Sequence, residues 1–110
     1  SNSLSIKRII CPSINAFDKY NQILKTAAKI KCDLILIALG PTAKALAYDF
    51  SKLNKQTIDI GHLDIEYEWF IRKTKKRIPI KNKNVLEANS YNAPECQNKR
   101  YLSQIVSKII

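Results

Sequence analysis

Acidic side chains are scarce in this chain. Nine Asp and Glu stand against nineteen Lys and Arg, which gives a formal net charge of +10 over 110 residues. The shortage is also regional: no acid lies between Glu68 and Glu87, a span that holds Arg72, Lys73, Lys75, Lys76, Arg77, Lys81 and Lys83. Such an imbalance points to an anionic partner, whether nucleic acid, a phosphorylated ligand or an anionic membrane surface. Glycine is scarcer still, at positions 40 and 61 only. Neither G-x-G-x-x-G nor G-x-x-x-x-G-K-[ST] is present, so neither a dinucleotide enzyme nor a P-loop ATPase is indicated. Cysteine occurs at 11, 32 and 96 with no C-x-x-C pair. That excludes a disulfide framework and a zinc knuckle, and fits a reducing compartment. The longest wholly apolar run, Leu34 to Leu39, is far too short to cross a bilayer. With one histidine, no Ser/His/Asp or Cys/His spacing identifies a catalytic triad.

An apolar fraction of 45% and a charged fraction of 25% are those of a folded globular chain with one modest core. Its order reads as alternating strands and helices. Ile6 to Cys11 has the composition of a strand stopped by Pro12. Phe17, Tyr20, Leu24, Ala27 and Ala28 recur at helical spacing, so a helix is expected over 16–31, with Ser13 or Asn15 as its cap. The continuous run Leu34 to Leu39 has the pattern of a strand buried on both faces of a parallel sheet. Gly40 turns the backbone and Pro41 suits the first position of a second helix, with Ala43, Leu46, Ala47, Phe50 and Leu53 as its core stripe. Thr57 to Ile60 is expected as a third strand. A β-α-β-α-β order implies one parallel sheet with helices on its faces and ligands at the carboxyl ends of its strands.

Asp59 to Phe70 concentrates unusual chemistry: the single histidine, the single tryptophan and four of the nine acids. His62 with Asp64 and Glu66 behind it is a plausible site for a divalent cation and its phosphate ligand. The plainer alternative is a surface helix whose histidine caps a turn and whose acids offset nearby lysines. Residues 64–71 alternate as a strand does, yet Leu63, Tyr67, Phe70 and Ile71 also fit a helical stripe, and a helix is expected. Residues 73–98, with Pro79, Pro94 and Asn82, Asn84, Asn89 and Asn92, read as a basic tail over the surface. Leu102, Ile105, Val106, Ile109 and Ile110 predict a terminal helix over 98–109, whose open apolar face suggests a partner surface or a homo-oligomer. Gly40-Pro41-Thr42 opening a helix is a weak phosphate-cradle signal, for which a simple tight turn is the plainer explanation.

Several of these segments together carry a resemblance. Leu34 through Ala43, then Leu46-Ala47-Tyr48-Asp49, then Ile58 through Phe70, resemble the C-terminal half of bacterial glycosyltransferases of the GT-D fold. Cys11-Pro12, Asn15-Ala16-Phe17 and Tyr20 fit that family's preceding segment. The resemblance implies an α/β, Rossmann-like three-layer half-domain with a parallel β-α-β-α-β core and C-terminal helices. It implies transfer of a sugar from a nucleotide-sugar donor, a uridine diphosphate (UDP) sugar, to a glycan or glycoprotein acceptor, with manganese or magnesium as divalent metal. Carried over residue by residue, Gly40, Pro41, Thr42 and Asn15 would bind the donor and His62 would sit at the metal–diphosphate site. Asp64 and Glu66 would be the catalytic carboxylates beside it.

The family's N-terminal half carries an Arg-x-Gly-Asp-Gly-Glu segment with its Asp-x-Glu metal motif, and nothing here matches it. Asp64-Ile65-Glu66 has the same spacing but belongs to the other motif. The expectation is therefore a C-terminal portion over residues 1–72, a basic tail with a terminal helix over 73–110, and no activity in isolation. A cytoplasmic location follows, with peripheral attachment to the inner membrane face compatible with the charge. Nucleic acid is the less favoured anion. A small basic module binding nucleic acid or an anionic surface is the rival reading.

Overall fold

The computed structural model of the chain describes residues 3–85, 88 and 93–110. These divide into two compact units, Ser1–Gly61 with Lys99–Ile110, and His62–Asn98. The chain is α/β, and its four described strands form two separate parallel pairs, which corrects the one parallel sheet expected from the β-α-β-α-β order.

In the first unit, strand β1 is Arg8–Ile10, followed by a 3-10 turn at Ala16–Lys19 and helix α1 at Tyr20–Ala28. Strand β2 (Ile35–Ile37), helix α2 (Pro41–Lys52) and strand β3 (Thr57–Asp59) come next. The helix expected over 16–31 is thus shorter, and its first turn is tighter. Asn15 precedes that turn in the left-handed region (φ 55°) and gives no side-chain cap, while the Asp18 amide donates to the Asn15 carbonyl at 3.0 Å.

Helix α2 begins where the sequence places it, with Pro41 at the first helical position after Gly40. It ends through Asn54, whose positive φ of 58° lets the Lys55 amide return to the Phe50 carbonyl at 3.0 Å. Ala43, Leu46 and Phe50 are fully buried from its stripe, while Leu53 is exposed. They pack with Ile23 and Ala27 of α1, Ile37 of β2 and Ile109, and Ile9 and Ile35 close over them. Burying side chains such as Phe50 and Leu46 contributes roughly 1.5–3 kcal/mol each.

Strands β2 and β3 run parallel in register, Ile35 opposite Thr57, Leu36 opposite Ile58 and Ile37 opposite Asp59. One face of this pair meets the helices. Its other face is open: Leu36 is 57% exposed and Ile58 is 45% exposed. The expected burial of the 34–39 run on both faces is therefore corrected, because only one layer of helices covers it within the described residues.

The chain's end differs from the expected helix. Helix α4 covers only Lys99–Ser103, and Ile105–Lys108 forms strand β4, parallel to β1. The Arg8 amide donates to the Gln104 carbonyl at 2.7 Å and the Ile109 amide to the Ile10 carbonyl at 2.8 Å. The β-branched Ile105-Val106 pair suits a strand, and the edge of β1 supplies the ladder that spacing alone cannot reveal. Ile109 is buried in the core, so the stripe assigned to an open helix face, and to oligomerisation through it, is not a helix face.

The second unit is built on helix α3, Leu63–Ile71. The helix is confirmed but its inner face is not the expected one. Ile65 and Trp69 are buried, whereas Leu63, Tyr67, Phe70 and Ile71 are exposed. Against Ile65 and Trp69 pack Ile80 and Val85, with Ile78 and Ala88 at the margin. The Trp69 indole Nε1 donates to the Ile78 carbonyl at 2.9 Å. Ile80 and Val85 are thus core within the segment expected as a surface tail, while Lys73, Lys75, Lys76, Arg77 and Lys81 stay exposed. The expectations on Asn89 and Asn92 lie outside the described residues.

Candidate functional site

The first unit carries the turns assigned to the donor. Ile37 of β2 faces Asp59 of β3 in a parallel ladder, so the turns at Gly40 and Gly61 leave the same sheet edge. Gly40 has φ 53° and ψ −140°, a conformation open in practice to glycine alone. A Cβ there would meet nothing within 4 Å, so backbone conformation, not crowding, requires the glycine. Gly61 is likewise at φ 55°, and its amide donates to Asp59 Oδ1 at 3.0 Å. Pro41 is exposed and Thr42 is buried at the head of α2, where unpaired amides and the helix dipole favour an anion. Asn15 is exposed in the loop that follows β1.

The same unit holds a pair that the sequence reading did not join. Tyr20 of α1 donates its hydroxyl to Asp49 Oδ2 of α2, and Lys52 pairs with the other carboxylate oxygen at 3.2 Å. Desolvation and this carboxylate push the Tyr20 phenol up to about 12. The Tyr20 hydrogen bond, then Lys52, hold Asp49 below the usual carboxylate range. Both residues stood in the segments that carried the family resemblance. Nothing in a single sequence links positions 29 apart on different helices. Burial raises the Cys11 thiol, which makes it a packing residue and not a ready thiolate.

In the second unit, His62 stands at the cap position of α3 without capping it through its side chain. Its carbonyl receives the amides of Ile65 and Glu66 at 3.0 and 3.1 Å. The ring lies edge-on to Trp69, with centroids 6.0 Å apart, and Nε2 is 3.8 Å from Glu66 Oε1. Helical periodicity accounts for this: residues four apart share a face, while residues two apart point to opposite sides. Asp64 accordingly turns away from Glu66 and pairs with Lys83, and its Oδ1 accepts from the Ile65 amide at 2.9 Å. The structure therefore couples His62 with Glu66, and Asp64 with Lys83, and does not join Asp64 to Glu66. Lys83 was legible only as one charge in a basic run. Among the described residues no three His, Cys, Asp or Glu side chains gather as a metal cluster.

Residues 1–88 match the family described as Glycosyltransferase GT-D fold. The chain belongs to the GT-D glycosyltransferase family. Two curated relatives agree. "Probable glycosyl transferase Gly" of Streptococcus gordonii is 44% identical over 96% of this chain and 16% of its own length. "Glycosyltransferase GlyD" of Streptococcus pneumoniae serotype 4 is 40% identical over 96% of this chain and 13% of its own length. This GT-D chain thus spans less than a fifth of either relative. Two solved structures superpose on it with a TM-score of 0.88. One, described as showing that the highly conserved domain of unknown function 1792 has a distinct glycosyltransferase fold, is 41% identical over 98% of this chain and 40% of its own. The other, a new glycosyltransferase (DUF1792) from Streptococcus sanguinis, is 40% identical over 96% of this chain and 40% of its own. No helix among the described residues is long and apolar enough to cross a membrane.

Proposed function

We propose that this chain is the C-terminal part of a GT-D glycosyltransferase domain that uses a nucleotide-sugar donor, a UDP-sugar, to glycosylate a glycan or glycoprotein. Family membership supports the transferase class. The observation that carries the donor assignment is the in-register parallel pairing of β2 and β3, which sets the glycine turns at 40 and 61 on one sheet edge. In this reading the head of α2, with Gly40, Pro41 and Thr42, receives a donor phosphate through backbone amides, and Asn15 offers a side-chain amide from the loop after β1.

The divalent metal that the family implies finds a partial donor set. His62 Nε2 and Glu66 Oε1, 3.8 Å apart on one helix face, fit as two ligands after a small side-chain adjustment. Asp64, engaged by Lys83, is the less available carboxylate. When bound there, manganese or magnesium would supply Lewis-acid charge toward phosphate oxygens. In its own unit the chain holds the imidazole edge-on against Trp69. Three free cysteines, Cys11, Cys32 and Cys96, favour a reducing, cytoplasmic setting, and the exposed lysines 73, 75 and 76 suit an anionic membrane face.

The Asp-x-Glu metal motif that the family resemblance places in the N-terminal half is not among these 110 residues. The 110-residue chain alone is therefore expected to transfer sugar far more slowly than about one turnover per second. A coupled assay for UDP release from a UDP-sugar panel tests this, and a rate at or above that level contradicts it.

A further inference from the structure

A surface helix ordinarily sets one apolar face against its core and a polar face against water. Helix α3 is apolar on two opposite faces. Ile65 and Trp69, four apart, are buried in the core of the second unit. Leu63, Tyr67, Phe70 and Ile71 fall at i, i+4, i+7 and i+8, which gathers them in a stripe on the far side of the helix. That stripe is bare: Phe70 is 78% exposed and Tyr67 is 61% exposed, with Leu63 and Ile71 exposed beside them. Large apolar side chains turned to solvent together mark a binding surface, which singly scattered ones do not.

The charge next to the stripe selects the partner. Lys73, Lys75, Lys76 and Arg77 follow α3 directly, and all four are exposed. Their loop is tied at both ends to the last turns of the helix. The Lys73 amide donates to the Phe70 carbonyl at 3.1 Å and the Thr74 amide to the Trp69 carbonyl at 3.2 Å. At the far end the Trp69 indole holds the Ile78 carbonyl at 2.9 Å. The four cations are therefore kept at the end of α3 that carries Phe70 and Ile71. Lys73 itself closes the helix at φ 52°, a left-handed position where glycine is the usual residue. The acids of α3 are engaged elsewhere: Asp64 pairs with Lys83, Glu68 with Arg72 at 3.3 Å, and Glu66 faces His62.

We propose that the outer face of α3 and the 73–77 loop form a docking surface for an anionic lipid bilayer. Leu63, Tyr67, Phe70 and Ile71 enter the boundary between headgroups and acyl chains, while the four cations meet anionic headgroups. An apolar stripe with a basic cluster at its end is satisfied in one contact by a surface that is charged outside and apolar within. A nucleic acid would use the cations but would leave the aliphatic Leu63 and Ile71 without a partner. At nine residues α3 lies in the interface and does not span it. The inference rests on the anionic-membrane reading of the exposed lysines and deepens it, and it is independent of sugar transfer.

The test is co-sedimentation of the 110-residue chain with two kinds of vesicle: phosphatidylcholine alone, and equal parts phosphatidylcholine and phosphatidylglycerol. Partitioning onto the anionic vesicles should exceed that onto the neutral ones by about tenfold or more. Lys75→Glu combined with Lys76→Glu should lower it by about tenfold or more. Phe70→Ser, at unchanged charge, should lower it by about fivefold or more, and Phe70→Trp should keep it. Brominated acyl chains should also quench the fluorescence of Phe70→Trp beyond that of Trp69 in the unaltered chain. Phe70 lies outside the core, so Phe70→Ser should leave the thermal midpoint unchanged. If that variant fails to fold, bromolipid quenching of Phe70→Trp decides. No binding, or equal binding to both vesicles, overturns the inference together with the lysine reading. Anionic binding that Phe70→Ser leaves unchanged, without added quenching, overturns the inference alone and leaves a basic patch that adsorbs to polyanions. A dimer that Phe70→Ser dissociates, with no vesicle binding, assigns the stripe to a second copy and overturns it too.

Discussion

Tyr20 donates its hydroxyl to Asp49 Oδ2, clamping the start of α1 to α2. The bond unites two helices whose sequence patterns gave no sign of their pairing. It also shifts both partners in directions that can be titrated.

The Tyr20 phenol, pushed up to about 12, favours the neutral form in the fold. Its contribution to stability is present below the ordinary value near 10 and is lost as pH rises from there toward 12. One late-titrating phenol among the five tyrosines should appear in tyrosinate absorbance and vanish in Tyr20→Phe. In Asp49→Asn it should return toward the ordinary value.

Asp49 behaves in the opposite sense. Its carboxyl is held low, so its contribution exists above the ordinary carboxylate value and is lost as pH falls through the lowered one. Thermal midpoints followed into acid should therefore fall less steeply in Asp49→Asn than in the wild type. Tyr20→Phe and Asp49→Asn should also be non-additive, since either one removes the same bond.

Gly40 is a sharper structural test. At φ 53° and ψ −140°, Gly40→Ala should cost about 1–3 kcal/mol through backbone strain, with no steric clash to relieve. Urea unfolding measures it, and a neutral result would mean that the turn can relax.

Ile80 separates a core segment from a tail. Buried against Ile65 and Trp69, it should cost about 2–5 kcal/mol when replaced by alanine. The fluorescence of the single tryptophan, Trp69, reports that unit directly. A loose basic tail would give a change near zero.

The sequence made α2 legible because three independent signals agreed: Gly40 at the turn, Pro41 at the first position and a clean apolar stripe. The parallel β2–β3 pair followed from strand–helix–strand order. The terminal strand was hidden because Leu102, Ile105, Val106 and Ile109 satisfy a helical period, and only the edge of β1 favours the extended form. The α3 face was misread for a related reason: its exposed residues Leu63, Tyr67, Phe70 and Ile71 are as apolar as the buried Ile65 and Trp69. Ile78, Ile80 and Val85, spaced among lysines and asparagines, were the missed sign of a second core. At the candidate site, His62 and Glu66 were recognisable as neighbours four apart. The diversion of Asp64 to Lys83 depends on a contact 19 residues distant.

The donor assignment meets its most direct test in titration calorimetry of the 110-residue chain with UDP, with and without manganese. Weak binding at millimolar UDP is expected, requiring the metal and lost in His62→Ala while the helical circular dichroism signal is kept. Absence of UDP binding at millimolar concentration would contradict it. So would metal-independent, salt-sensitive binding shared with any polyanion, which would instead favour a basic module acting through its exposed lysines.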